Sequence, residues 1–167
     1  INLIICAMCF GGVMDASGML ASLAQGMLKL VRNTGSLVTV TIFSSIFMNI
    51  IAADQYLSII LPGRMYKEAF EDKRLAAKNL SRCLEDGGTV TSALVPWNTC
   101  GATMSTFLGV PTAQYFKFAY LNMFNPLVSI FYGFTGISMV KMTDEEYKAI
   151  LERREEDRQA ALRALEA

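Results

Sequence analysis

The residues best equipped for chemistry in this sequence are polar side chains set inside apolar runs. Thr91-Ser92-Ala93-Leu94-Val95-Pro96-Trp97-Asn98-Thr99-Cys100-Gly101-Ala102-Thr103 carries a proline, a glycine and a series of hydroxyl and amide groups where a hydrophobic span should continue. A bilayer tolerates freed backbone groups only where protein or a water-lined cavity satisfies them. Discontinuous helices of this kind build ion and substrate sites at mid-membrane depth. A kinked packing helix, whose Ser, Thr and Gly admit close neighbours, has the same composition. A second constellation, Asn49, Asp54 and Gln55, falls inside the apolar run Gly35 to Leu61. An ionisable group within a span costs about 2.5–3.5 kcal/mol on insertion scales, so Asp54 reads either as functional or as a residue near the headgroups. Asn49 and Asp54 do not share the i, i+4 spacing that stacks side chains on a regular helix. A local unwinding between them would turn both into one cavity.

Composition sets the surroundings. The 167 residues are 53% hydrophobic and 18% charged, against about 25% charged in ordinary soluble domains, and mean hydropathy is +0.35. The charges collect in Arg64–Asp86 and Lys141–Glu166. This segregation predicts an all-α polytopic membrane protein with an amphipathic cytoplasmic connector and a C-terminal helix, and the broken spans suit a transporter-bundle fragment with discontinuous helices. Formal net charge is zero, which gives nucleic acid binding no electrostatic support. There is no His, so the commonest general base and metal ligand is missing. Cys100 therefore lacks an activating base, and enzymatic function is not expected. Cys6 and Cys9 form a lone C-x-x-C without a second pair, and read as packing cysteines. No cofactor is expected.

Along the chain, Asn2 to Met14 reads as the tail of a spanning helix that begins upstream, so the sequence is expected to be the C-terminal part of a longer protein. Asp15-Ala16-Ser17-Gly18 is a polar interruption in which Asp15 caps the next helix or lines a path. Met19 to Val31 is too short to cross alone, given the roughly 20 residues a bilayer requires, and reads as interfacial, re-entrant or half of a broken helix. Gly35 to Leu61 is the clearest span, expected to end at Pro62-Gly63. Residues 63–87 are expected to form one amphipathic connector helix ended by Gly87-Gly88, on the cytoplasmic side because of its Lys and Arg content.

Thr89 to Val110 then crosses outward through the polar break and turns at Gly109-Val110-Pro111-Thr112. Ala113 to Val140 crosses back, kinked at Pro126. Asn122 and Asn125 share a face of that helix, as interhelical glue or cavity wall. Residues 1–140 thus read as a transmembrane domain and 141–167 as a charged helical tail, opened by a Thr143–Glu146 capping box. Two spans separate the two charged segments, which places both on the cytoplasmic side.

Several linked segments carry a resemblance: Asn49-Ile50-Ile51-Ala52-Ala53-Asp54-Gln55-Tyr56-Leu57-Ser58, Leu61-Pro62-Gly63-Arg64-Met65, Leu80-Ser81-Arg82-Cys83-Leu84-Glu85-Asp86-Gly87-Gly88-Thr89, and Leu94-Val95-Pro96-Trp97-Asn98-Thr99-Cys100-Gly101 followed by Met104 and Leu108-Gly109-Val110. In order and register these resemble the NhaC-type sodium/proton antiporter family over most of Val13 to Met139. The resemblance implies a multi-pass inner-membrane antiporter exchanging Na+ for H+, with some relatives exchanging dicarboxylate or lactate alongside cations. It also implies a missing N-terminal half as partner, in addition to the lipid bilayer; a homo-oligomer is a further expectation.

Burial favours the protonated form of a carboxylate and a bound cation the ionised form. Asp54 is accordingly the expected shared H+/Na+ carboxylate. Asn49, Asn98, Thr99 and Thr103 are expected oxygen donors, and Asp15, Gln55, Asn122 and Asn125 further path residues. The alternatives are a cation-coupled organic-anion exchanger, such as a malate/lactate antiporter, and a membrane assembly module that transports nothing.

Overall fold

A computed structural model describes residues 31–166 and the isolated positions 13, 17 and 26. Asp15, the Cys6–Cys9 pair and most of the first two apolar segments lie outside the described residues. Among the described residues the chain is all-helical, with an isolated antiparallel bridge between Leu75 and Lys141 and no strand.

Helix α1, Thr34–Ile51, is long and apolar enough to cross a membrane, with mean hydropathy 1.6. Asn33 opens it through a reciprocal capping box with Ser36. Its run of Leu37, Val38, Thr41, Ile42, Ser44, Ser45 and Asn49 is buried. The span does not continue to Leu61 as the sequence suggests. It stops at Ala52, and α2, Gln55–Asp72, returns antiparallel beside it. The pairing is fixed by the bond between the Ser44 and Tyr66 hydroxyls, 2.7 Å. At the far end, Leu37 and Val38 cluster with Phe70, Leu75 and Cys83. Residues 34–72 are therefore a helical hairpin whose tip is Ala52-Ala53-Asp54.

Pro62 lies inside α2 and does not end it. The proline removes one intrahelical donor, to the Ser58 carbonyl. Burial of Leu61, Tyr66 and Phe70 around it holds the helix together.

The connector is likewise two pieces. A turn at Lys73–Ala76, with Arg74 at φ 54, leads into α3, Ala77–Leu84. Gly87-Gly88 does not stop this helix. Glu85–Thr89 forms a π-helical segment that runs on into α4, Val90–Ser92. Close packing explains the glycines: a Cβ on Gly87 would lie 2.8 Å from the Ile42 carbonyl, and one on Gly88 would lie 3.0 Å from the Ile59 side chain.

After the break at residues 93–98 come α5, Thr99–Leu108, and the turn at Gly109 (φ 68). The expected single return span is instead two pieces: α6, Thr112–Tyr115, and α7, Tyr120–Thr135. Helix α7 contains Pro126 and closes on Gly136 at φ 72. It packs on α1, where a Cβ on Gly133 would meet Val38 at 2.8 Å. Its opposite face leaves Phe124 57% and Phe131 59% exposed.

The two charged segments meet at one end of the bundle. Ala76 N–H donates to the Val140 carbonyl at 3.0 Å, and Met142 N–H to the Arg74 carbonyl at 2.9 Å. Helix α8, Asp144–Glu166, starts from the expected capping box: Thr143 N–H donates to Glu146 Oε2 at 2.9 Å and Glu146 N–H to Thr143 Oγ1 at 3.3 Å. Those bonds hold the Glu146 carboxyl below its ordinary value of 4.5. The helix docks through Arg154, which donates to Glu71 Oε2 at 2.6 Å and to Asp72 Oδ1 at 2.7 Å. The hydrogen bond Arg154 donates to Asp72, with that to Glu71 adding to it, raises the guanidinium pKa. Glu71 is the buried partner, 9% exposed at the side chain. Replacing Arg154 with Ala should cost the docked tail about 1.5–3 kcal/mol, the worth of a hydrogen bond to a charged group. Limited proteolysis in membranes should then cut within 150–160 well before it cuts the wild type.

Candidate functional site

The site is built from two interruptions that the fold brings together. The first is the hairpin tip. Ala52 is still helical, Ala53 takes φ 53, and Asp54 is extended at φ −138 and ψ 131. A left-handed conformation costs a residue with a Cβ about 1–2 kcal/mol, so something outside the tip must hold Ala53. Asp54 is the N-cap of α2, its Oδ1 accepting from Leu57 N–H at 3.1 Å. It is 8% exposed.

The second interruption follows α4. Pro96 has no N–H to continue a helix, and the chain closes a short turn, with Asn98 N–H on the Val95 carbonyl at 3.1 Å. Asn98 is the N-cap of α5, its Oδ1 accepting from Cys100 N–H at 3.0 Å. Gly101 makes this geometry possible, because a Cβ there would fall 2.0 Å from the Val95 carbonyl.

A helix ends with carbonyls that have no intrahelical partner. At the end of α1 the second break supplies them. Asn98 Nδ2 donates to the Asn49 carbonyl at 3.2 Å and to Asn49 Oδ1 at 3.1 Å. Trp97 Nε1 donates to the Ile50 carbonyl at 2.8 Å. Thr99 N–H donates to the Ala53 carbonyl at 3.1 Å, which fixes the left-handed residue. Asn49 Nδ2 in turn donates to the Gly88 carbonyl at 2.6 Å and to Thr91 Oγ1 at 3.1 Å. Asn49 and Asn98 are both fully buried.

The fold thus gathers Asn49, Asp54, Gln55, Asn98 and Thr99. Gln55 Oε1 accepts from the Cys100 thiol. Thr99 is exposed, with its hydroxyl 3.4 Å from Asn98 Oδ1. Thr103 lies one turn further along α5, exposed, its hydroxyl on the Thr99 carbonyl at 2.7 Å. Asn122 and Asn125 are elsewhere, on α7. Asn122 Nδ2 donates to the Val90 carbonyl at 2.6 Å, and Asn125 Nδ2 donates to Asp86 Oδ1. Tyr115 sends its hydroxyl to the Ala93 carbonyl at 2.5 Å. Asp86 was hidden in a charged run and is 7% exposed. The sequence signal for it was the helical series Asn79, Cys83 and Asp86, all on one buried face.

Two helix N-termini, those of α2 and α5, converge here, with two helix C-termini beside them. N-termini favour anions and C-terminal carbonyls favour cations. Asp54 adds a carboxylate to the same place. Among the described residues, no group of three or more His, Cys, Asp or Glu is placed to hold a metal ion. A single carboxylate with neutral oxygens suits a weakly held, hard monovalent cation.

The family model described as the Na+/H+ antiporter family matches residues 1–137. The chain belongs to this family. It is 40% identical to the Na(+)/H(+) antiporter NhaC of Bacillus subtilis over 134 residues, 80% of this chain and 30% of that protein. It is 37% identical to the Na(+)/H(+) antiporter NhaC of Alkalihalophilus pseudofirmus over 141 residues, 84% of this chain and 30% of that protein. It is 34% identical to the arginine/ornithine antiporter ArcD of Halobacterium salinarum over 146 residues, 87% of this chain and 30% of that one. The chain spans about 30% of the length of these relatives. No solved structure matches it. The relatives' names are those of antiporters, proteins that act across a membrane.

Gly101→Ala should lower the thermal stability of the protein in detergent by the equivalent of about 1–3 kcal/mol, the usual cost of overpacking. Thr103→Ala, which removes a bond only to its own helix, should stay within about 0.5 kcal/mol of wild type. Equal melting temperatures for Gly101→Ala and wild type would contradict the close approach at Val95.

Proposed function

We propose that this chain forms part of a multi-pass inner-membrane antiporter exchanging Na+ for H+, and that the joined breaks are its ion site. The observation that carries the proposal is the stitching of the tip to the second break around Asp54, in a chain of this family. A carboxylate holds either a proton or a sodium ion. An ion entering from one side releases the proton, and the proton displaces the ion on the other, so one group suffices for exchange. Asp54 Oδ1 is engaged by Leu57 N–H, which leaves its second oxygen for the ion. Thr99 Oγ1 and the carbonyls at the helix ends are neutral donors of the kind that replace a cation's water shell. Asn49 Oδ1 accepts one bond, from Asn98, and keeps a lone pair for the ion. Asn98 Oδ1 must give up Cys100 N–H before it can contribute. Thr103, Gln55, Asn122 and Asp15 complete the candidate path, whereas Asn125 is spent on Asp86.

The hairpin suggests how deep the site lies. Arg64, Lys67 and Glu68 are exposed on α2, and Tyr66 is level with Ser44 of α1. Charged surface therefore extends to mid-α1. From Ser44 to the tip at Ala53 the helix advances about 14 Å, close to half of a hydrocarbon core of ~30 Å. In this reading residues 34–72 enter the membrane and return on the same, cytoplasmic side, where the Lys- and Arg-rich connector, 63–87, and the tail, 141–167, lie together. Residues 89–110 and 113–140 cross, the first through the break. The exposed apolar face of α7 meets lipid or the remainder of the transporter, in this proposal an N-terminal half. A second copy of the protein is a further candidate neighbour.

A second reading, exchange of organic ions, draws on the relative named as an arginine/ornithine antiporter. The two converging helix N-termini would hold a substrate carboxylate. Everted vesicles containing the full-length protein separate the two. The account expects Na+-driven proton flux that neither malate, lactate nor arginine changes, and its loss, by about a hundredfold or more, in Asp54→Asn. Full Na+-driven flux in Asp54→Asn would remove Asp54 from the mechanism.

A further inference from the structure

Asp86 is a buried carboxylate that the exchange mechanism above does not use. It sits in the π-helical segment Glu85–Thr89. Its two oxygens are each held by α7: Oδ1 accepts from Asn125 Nδ2, and Oδ2 from the Ser129 hydroxyl. Ser129 is 3% exposed. The cation nearest in sequence, Arg82, is directed away, with Nη1 donating to Ser138 Oγ at 3.0 Å. The carboxylate is thus spent on gripping one neighbouring helix.

The same segment faces the ion site on its other side. The Gly88 carbonyl accepts from Asn49 Nδ2 at 2.6 Å. The Gly87 carbonyl accepts from the Thr91 hydroxyl, which itself accepts from Asn49. Asn49 then meets Asn98. A continuous set of hydrogen bonds therefore runs from α7 through Asp86 and the π segment to Asn49 and the second break. Single-turn π segments in helices recur at functional sites, because the irregular turn frees backbone groups for other partners. Here carbonyls of that segment are the ones Asn49 and Thr91 bind.

We propose that Asp86 is a positioning residue for the ion site: by fixing α7 to the π segment it sets the placement of Asn49 against Asn98, and so the sodium affinity. This rests on the antiport reading for its transport readout, but not for its geometric one. Asp86 touches no ion. An amide in its place keeps one acceptor for Asn125 and offers a donor to the Ser129 hydroxyl, so Asp86→Asn preserves the grip, whereas Asp86→Ala removes it.

The test uses the full-length protein in membranes with two measurements. One is the KM for Na+ and the maximal rate per molecule of protein. The other is the rate at which a maleimide labels Cys100, read on the Cys100 peptide by mass spectrometry, which requires no transport. Cys100 is half-buried at the break, with its thiol on Gln55. Asp86→Ala should raise the Na+ KM about tenfold, the factor for losing one hydrogen bond to a charged group. It should leave the maximal rate within about threefold and speed Cys100 labelling by a similar tenfold. Asp86→Asn should return both readings to within about threefold of wild type.

Where Asp86→Ala does not accumulate, the double variant Asn125→Ala/Ser129→Ala removes the grip from the other side and should reproduce its phenotype. Wild-type KM and labelling in Asp86→Ala, or in the double variant, would overturn the proposal. So would an Asp86→Asn protein that is present in the membrane with wild-type Cys100 labelling but no exchange, since Asp86 would then carry the proton or ion itself. Absence of exchange in the wild type would sink only the antiport reading, and the Cys100 comparison would still decide the role of Asp86.

Discussion

The structure depends on the amide of Asn98 reaching the end of α1. A helix that stops inside a protein leaves carbonyls without donors, and in a bilayer no water is at hand to take them. Asn98 answers two of these demands at once, by capping α5 with its oxygen and the end of α1 with its nitrogen. Trp97 and the Thr99 amide complete the set. Two irregular segments, each costly alone, thereby satisfy each other. Asp54 is left buried beside the joined helix ends.

The remaining architecture serves that junction. The antiparallel hairpin carries its tip to the break. The π segment lets Gly87 lie flat against α1 and Gly88 against α2, and gives Asn49 its acceptors. Helix α7 braces the far side through Asn122, Asn125 and Ser129. The charged end is locked separately, by the Leu75–Lys141 bridge and the Arg154 contacts with Glu71 and Asp72. Two distinct clusters result, one polar at the joined breaks, the other charged and tied to the orientation of the tail.

What could be read from the residues alone follows the strength of the local signals. The second break announced itself through Pro96, Asn98 and Gly101, and the tail through its capping box. The hairpin did not, because its tip is Ala52-Ala53-Asp54, with neither glycine nor proline to mark a turn. The left-handed φ of Ala53 is imposed from Thr99, far off in sequence. Pro62 and Gly87-Gly88 misled in the opposite sense. Each is a helix breaker by propensity, and each is overridden by packing, of Leu61 and Tyr66 in one case and of Ile42 in the other. Asp86 was lost among solvated charges: its helical spacing from Asn79 and Cys83 marks a buried face, but its contact with α7 is not recorded in any short-range pattern. Asp54 was singled out for its place in an apolar run; its capping of α2 was not foreseen.

The central claim is that the tip and the second break are in contact. Cysteine pairs in the full-length protein test it most directly, in membranes and in a background with the native cysteines replaced by alanine. The Ala53→Cys/Thr99→Cys pair, whose backbones are joined by a 3.1 Å hydrogen bond, should cross-link under mild oxidation as readily as Leu75→Cys/Lys141→Cys at the charged end. A pair at 53 and 99 that stays reduced while the pair at 75 and 141 closes would contradict the account.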